Sequence, residues 1–198
     1  MVKAILIIIC IFNQLLIAQE ERNAYRIPVD TSFTLFSAFQ KTIKDFPSAR
    51  IVDENLQPKV LEKKNIVYCS IKERKLHLDL FSPADLNQKL PGIILIHGGG
   101  WRSGNRSMEI PMARQLAANG FVTAVVEYRL SPECKYPSAI FDLKSSVRWM
   151  RANSEELNID STRIALYGVS SGGHLAAMLG ATNGIDKFEG TSGNLNHS

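Results

Sequence analysis

The sequence predicts an α/β fold with a mostly parallel sheet, helices on both of its faces and an antiparallel hairpin on its N-terminal side. Three observations predict it. Strand-like and helix-like segments alternate from Pro91 to Leu179, and such alternation requires right-handed crossovers over a parallel sheet. Residues 65–70 and 75–81 are strand-like runs separated by the charged turn Lys72-Glu73-Arg74, the pattern of a hairpin. The stretch Tyr167-Gly168-Val169-Ser170-Ser171-Gly172-Gly173 follows a short apolar run and opens a helical one, so a tight strand-to-helix turn is expected there.

Taken in order, residues 1–18 read as an export signal. Lys3 supplies a positive start, residues 4–12 are apolar and Ala18 offers a small residue for cleavage. The apolar run is too short to span a bilayer. The mature protein is therefore expected to be secreted or periplasmic, with no membrane contact once the signal is removed. Residues 19–63 form an N-terminal segment that packs on the core or caps the site. Within it Phe33, Phe36, Phe39 and Ile43 have the spacing of a helical stripe, ended by Pro47, and core packing is the expected use of that stripe.

Residues 64–198 form the α/β domain. In its hairpin Leu76, Leu78 and Leu80 alternate with His77 and Asp79, which puts the polar pair on the side away from the core. Residues 91–96 are a buried-strand run. A helix is expected over 108–119, with Pro111 near its start and Asn119-Gly120 at its end. A strand over 121–127 follows, then a helix over 138–153 burying Ile140, Leu143, Val147 and Met150, then the strand 163–167 that leads into the serine turn.

With 198 residues, of which 45% are hydrophobic and 21% charged, one core is readily built. The net charge of +4 is mild and its basic residues are scattered, which argues against a nucleic-acid surface. Outside the export signal only Cys69 and Cys134 remain. Two cysteines do not make a metal site alone, and their spacing demands no disulfide; Cys69 is expected as a small buried strand residue. No metal or organic cofactor is implied.

The chemistry is written in two glycine-rich turns. Gly168-Val169-Ser170-Ser171-Gly172 is Gly-x-Ser-x-Gly between a strand and a helix. A serine there is held with its hydroxyl exposed, and the flanking glycines let strand and helix pass closely around it. The helix also aims its free N–H groups and positive dipole end at that point. Ser170 is therefore the expected catalytic nucleophile. The second turn, His97-Gly98-Gly99-Gly100-Trp101, directly follows the strand 91–96. Glycines let backbone N–H groups approach a ligand, and acyl transfer passes through an oxyanion that such donors stabilise. The expected donors are Gly98, Gly99 and Ser171.

These motifs resemble those of the α/β-hydrolase carboxylesterases that carry HGGGW and GxSxGG, a group spanning hormone-sensitive-lipase-like enzymes and related bacterial polysaccharide-side-chain esterases. The similarity covers residues 64–179 and includes Glu127-Tyr128-Arg129-Leu130-Ser131 and Tyr136-Pro137-Ser138-Ala139-Ile140-Phe141-Asp142. It implies an α/β-hydrolase fold, an acyl-enzyme on Ser170 and ester hydrolysis. The substrate would be a small-molecule or polysaccharide-linked ester, with acetyl or feruloyl side chains as the analogy. It also marks Arg129 as structural, with Asp142 as its expected partner.

In the resembled family the acid and then the histidine of the triad follow the serine. After Ser170 this chain offers only Asp186, Glu189 and His197 beyond the helical His174, and no strand-like run to place them. Residues 1–198 are thus expected to be the N-terminal part of a longer hydrolase, missing its C-terminal strands, acid and base, inactive alone, and exposing the sheet edge beside the serine strand. His174 is expected to point away from the serine hydroxyl. The alternatives are an amidase or arylformamidase, because HGGGW also resembles HGGxW, and a non-catalytic binding protein with a hydrolase-like fold.

Overall fold

The structure, a computed structural model, describes residue 31 and residues 34–52, 60–85 and 87–197. The expected export signal and Phe33 lie outside the described residues. A five-stranded sheet forms the centre. Its strands are β1 (Val60–Ile71), β2 (Arg74–Pro83), β3 (Leu90–Ile96), β4 (Val122–Val126) and β5 (Ile159–Gly168). They are ordered β1-β2-β4-β3-β5. The hairpin β1–β2 is antiparallel, β2 runs antiparallel to β4, and β3 lies parallel to both β4 and β5. The antiparallel hairpin and the parallel unit β4-β3-β5 are as expected, but the pairing of β2 antiparallel to β4 makes the sheet mixed rather than mostly parallel; the hairpin strands are longer than expected and β5 begins four residues before its apolar run.

Register fixes where the chemistry falls. Ile96 of β3 is paired with Val126 of β4 and with Gly168 of β5. The residues that follow each strand, His97, Glu127 and Val169-Ser170, therefore leave the sheet side by side at its carboxyl edge. That edge is where parallel sheets place ligands.

The helices cover both faces. Helix α2 (Ile110–Ala118) follows a 3-10 turn at Arg106–Glu109, which the Asn105 side chain caps through the Ser107 N–H at 3.0 Å. Its Ile110, Ala113 and Ala117 pack with Phe81, Leu95 and Val125 on one face. Helices α3 (Ser138–Ala152) and α4 (Ser171–Ala181) cover the other. There Leu76, Leu78, Ile94, Ile96, Ile140, Leu143, Met150 and Leu175 form the larger core. His77 and Asp79 do lie on the side of β2 away from the larger core, but α2 and the turn before it cover that side, so it is not a free surface. Asp79 is buried, and accepts from the Asn65 N–H at 2.8 Å and from Arg106 Nε at 3.0 Å. His77 is half-buried, with Nδ1 3.3 Å from Glu127 Oε1. Polar residues on a covered face survive only when paired, and these are.

Helix α1 (Leu35–Asp45) has the expected amphipathic spacing and a reciprocal capping box between Thr34 and Ser37. None of its residues is buried and Phe36 is 70% exposed. The expected packing of this stripe into the core is therefore not what the described residues do; the local cap, not burial, supports the helix.

The last segment is pinned to α3. Arg148, buried in the middle of that helix, donates from Nε to Gly193 O at 3.1 Å, from Nη1 to Glu189 O at 3.0 Å and from Nη2 to Ser192 O at 2.7 Å. Lys144 donates to Thr182 O at 2.6 Å and pairs with Glu189. Buried cations need such complete satisfaction. Strand β5 ends the sheet, and on it Tyr167 is 36% exposed.

Candidate active site

Ser170 caps α4 at φ 54° and ψ −120°. A side-chain-bearing residue is strained there by about 1–3 kcal/mol, and the surroundings hold it in place. A Cβ on Gly168 would lie 2.3 Å from the Gly172 backbone, and one on Gly172 would lie 2.1 Å from Ile96 O. The helix thus starts hard against the carboxyl ends of β5 and β3. Both glycines of the predicted turn are used as expected, and Ser170 itself is exposed.

The glycine loop reaches the same point. A Cβ on Gly98 would lie 2.8 Å from Val169 O and 3.4 Å from the Ser170 Cβ. Gly99, Gly100 and Trp101 continue with φ values of 121°, 59° and 61°, which turns the loop back over the helix start. Among the described residues, the N–H groups of Gly98, Gly99 and Ser171 donate to no other protein group. Ser103 secures the loop's far side, its N–H donating to Gly99 O at 3.0 Å and its hydroxyl to the same oxygen at 2.8 Å.

His97 supports this loop from below. It is buried, stacks on Tyr128 with ring centroids 4.5 Å apart, and has Nδ1 2.7 Å from Gly98 O. The carbonyl acceptor assigns the proton to Nδ1. Tyr128 donates its hydroxyl to His97 O at 3.0 Å. Burial pushes the Tyr128 phenol up to about 12, with the Ser171 hydroxyl beside it opposing the rise, so the donor stays protonated.

Burial holds His97 below the ordinary histidine value, against the opposing pull of the Gly98 carbonyl and the Glu127 charge. The sign of its effect on stability follows. Above the ordinary value both folded and unfolded states carry neutral His97, and stability is unaffected. As the pH falls below that value the unfolded chain takes up the proton first. Stability then declines, by at most about 1.4 kcal/mol per pH unit, until the folded-state value is reached. Urea unfolding at pH 7.5 and 5.5 is expected to show a smaller acid loss in His97→Asn than in the parent.

Arg129 and Asp142 form the expected pair. Nε lies 2.9 Å from Oδ2 and Nη2 lies 2.7 Å from Oδ1, and the Arg129 N–H donates to Oδ2 at 3.0 Å. Asp142 is fully buried. The fork ties the loop after β4 to the N-terminal half of α3. Asp142→Ala leaves the guanidinium without its anion, and urea unfolding is expected to show a loss of about 3–5 kcal/mol.

Next to the serine turn lies an open cavity of about 360 Å³. Its walls are mostly apolar and include Trp101, Tyr128, Tyr136, Ile140 and Leu175. His174 lines it and sets its ring edge-on to Trp101, with centroids 5.3 Å apart. No hydrogen bond joins His174 to the Ser170 hydroxyl. His174 faces the cavity rather than solvent alone because Trp101 folds over the helix start.

Residues 78–198 match the BD-FAE family. The chain belongs to the BD-FAE family. Related proteins include esterase LipC of Mycobacterium tuberculosis, 36% identical over 57% of this chain, and an arylesterase of Saccharolobus solfataricus, 35% identical over 54% of it. The chain spans 28% and 35% of those two proteins' own lengths. Among solved structures a bacterial heroin esterase superposes with a TM-score of 0.63 at 26% identity, over 80% of this chain and 50% of that one. The esterase Est2 of Thermogutta terrifontis superposes with a TM-score of 0.54 at 32% identity, over 62% and 44%. The fold of the BD-FAE chain is the α/β-hydrolase fold of these esterases.

The other acid and histidine candidates of the BD-FAE chain sit elsewhere. Glu189 is committed to Lys144 and Arg148. His197 follows at the far end of α3, where its carbonyl accepts from Arg151 at 3.4 Å. Asp186 opens a 3-10 turn after α4. Among the described residues no histidine or carboxylate is hydrogen-bonded to Ser170. No group of three or more His, Cys, Asp or Glu among them is placed to hold a metal ion. Cys69 is buried as expected, Cys134 lines the cavity, and both are free thiols. The cavity walls were not legible as a set, since Tyr136, Ile140 and His174 come together only when α3 and α4 are placed on the sheet.

Proposed function

We propose that the BD-FAE chain carries the nucleophile and oxyanion site of a carboxylic ester hydrolase. The observation that carries this reading is the strained Ser170 at the start of α4 with Gly98 packed against it. In this reading Ser170 Oγ attacks the ester carbonyl carbon as a base takes its proton. The carbonyl oxygen becomes an oxyanion held by the N–H groups of Gly98, Gly99 and Ser171, each worth about 3 kcal/mol to the transition state. Collapse expels the alcohol, which receives the proton, and leaves an acyl group on Ser170. Water then repeats the sequence and frees the acid.

The apolar cavity takes one substituent of the ester. Among the described residues no histidine or carboxylate side chain is hydrogen-bonded to the Ser170 hydroxyl, so this reading rests on the nucleophile and the oxyanion site. Residues 1–18 export the protein, and acetyl or feruloyl esters on polysaccharides are its natural class. Assays of the full-length protein on 4-nitrophenyl acetate and on 4-nitroacetanilide test the reading. Hydrolysis of the ester with little of the anilide is expected. Preference for the anilide would favour the amidase alternative, and turnover of neither would favour a binding protein.

A further inference from the structure

Charge is distributed unevenly around the cavity. Arg102 and Arg129 line it together with His174, and no aspartate or glutamate does. Arg129 is neutralised by Asp142, and turns only its remaining Nη1 to Cys134 Sγ at 3.5 Å. Of the acids at that end of the sheet, Glu127 pairs with Arg74 and Arg106 and Glu133 with Arg74, while Glu109, which acts on Tyr128, is buried and its carboxyl is pushed up by that burial. Arg102 differs. Its backbone N–H donates to Gly99 O at 3.1 Å, but among the described residues its guanidinium has no hydrogen bond or ion pair. The positive-φ turn through Gly100 and Trp101 sets it on the rim. Helix α4 lines the same cavity through His174 and Leu175. An apolar cavity with an uncompensated guanidinium on its rim fits a ligand that is apolar near the reacting bond and anionic farther out.

We propose that Arg102 selects esters that carry a carboxylate, holding that group at the cavity rim while the ester bond lies at Ser170. This rests on the ester-hydrolase reading of the same site. The substrate class is then a monoester of a dicarboxylic acid, or an ester whose alcohol bears a carboxylate. Arg102 is a specificity residue here and takes no part in bond making.

Binding can be measured without turnover in the full-length protein carrying Ser170→Ala. Trp101 lines the cavity, and the fluorescence change that is lost in Trp101→Phe reports occupancy; within residues 1–198 the other tryptophan, Trp149, is not a lining residue. The probes are monoethyl succinate and ethyl butyrate, in which a carboxylate replaces a methyl group. At low salt the anionic ester is expected to bind about three- to fivefold more tightly, the range of an exposed ion pair. Salt at about 0.5 M narrows the gap. Arg102→Gln removes it, and Arg102→Lys keeps most of it. Equal affinity in the parent, or equal weakening of both esters by Arg102→Gln, overturns the charge preference and leaves the ester reading standing. Binding of neither ester overturns both.

Discussion

Ser170→Ala is expected to lower ester hydrolysis by the full-length protein by roughly 10⁴-fold or more, with folding intact. The hydroxyl is the only group of the turn that the proposed reaction bonds to the substrate. The side chain sits at the exposed N-cap of α4, so its removal creates no cavity. Thermal unfolding is expected to stay close to the parent, because alanine meets the same backbone strain at φ 54° as serine does. Residual rate comes from the oxyanion donors and the cavity, which the substitution leaves in place. The measurement is the steady-state rate on 4-nitrophenyl acetate beside a melting curve.

Gly172→Ala is the counterpart for stability. A methyl group there would sit 2.1 Å from Ile96 O and 2.7 Å from His97 O. Both neighbours are backbone, so neither can rotate away. Ile96 is fully buried and paired to two strands at once. Relief therefore requires the start of α4 to withdraw from the sheet, breaking the Gly172 N–H bond to Val169 O at 2.8 Å and moving Ser170. A loss of about 3 kcal/mol or more is expected, read as a lower urea midpoint. Any folded fraction should also lose activity, since Ser171 shifts with the helix. Gly180→Ala is the control, because its Cβ would meet nothing within 4 Å.

The fold was legible where local pattern and tertiary role agree. The β-branched run of β4 and the Ile-rich run of β3 are buried on both faces and read as such. The stripe Ile140, Leu143 and Met150 on α3 is fully buried. The two glycine turns were legible because their residue types are dictated by close backbone approach, as the Gly98 and Gly172 contacts bear out. Sequence reasoning failed where a distant element decides the outcome. Alternation in β2 predicted one wet face, but α2 covers it, and Asp79 is buried with Arg106 as its partner. The apolar stripe of α1 predicted burial, and the helix is instead locally capped and exposed. The cavity joins residues from the glycine loop, the loop after β4, α3 and α4, and no spacing in the chain encodes that meeting. His174 is the plainest case: its helical position is obvious from sequence, while its neighbour Trp101 lies across the fold.

The central claim is that Ser170 is an activated nucleophile facing an oxyanion site. Treatment of the full-length protein with a fluorophosphonate, followed by peptide mapping by mass spectrometry, tests it most directly. The account predicts one adduct, on Ser170, lost in Ser170→Ala and slowed when the Gly98 loop is disturbed. A folded protein that takes up no probe, or takes it up on another residue, would contradict it.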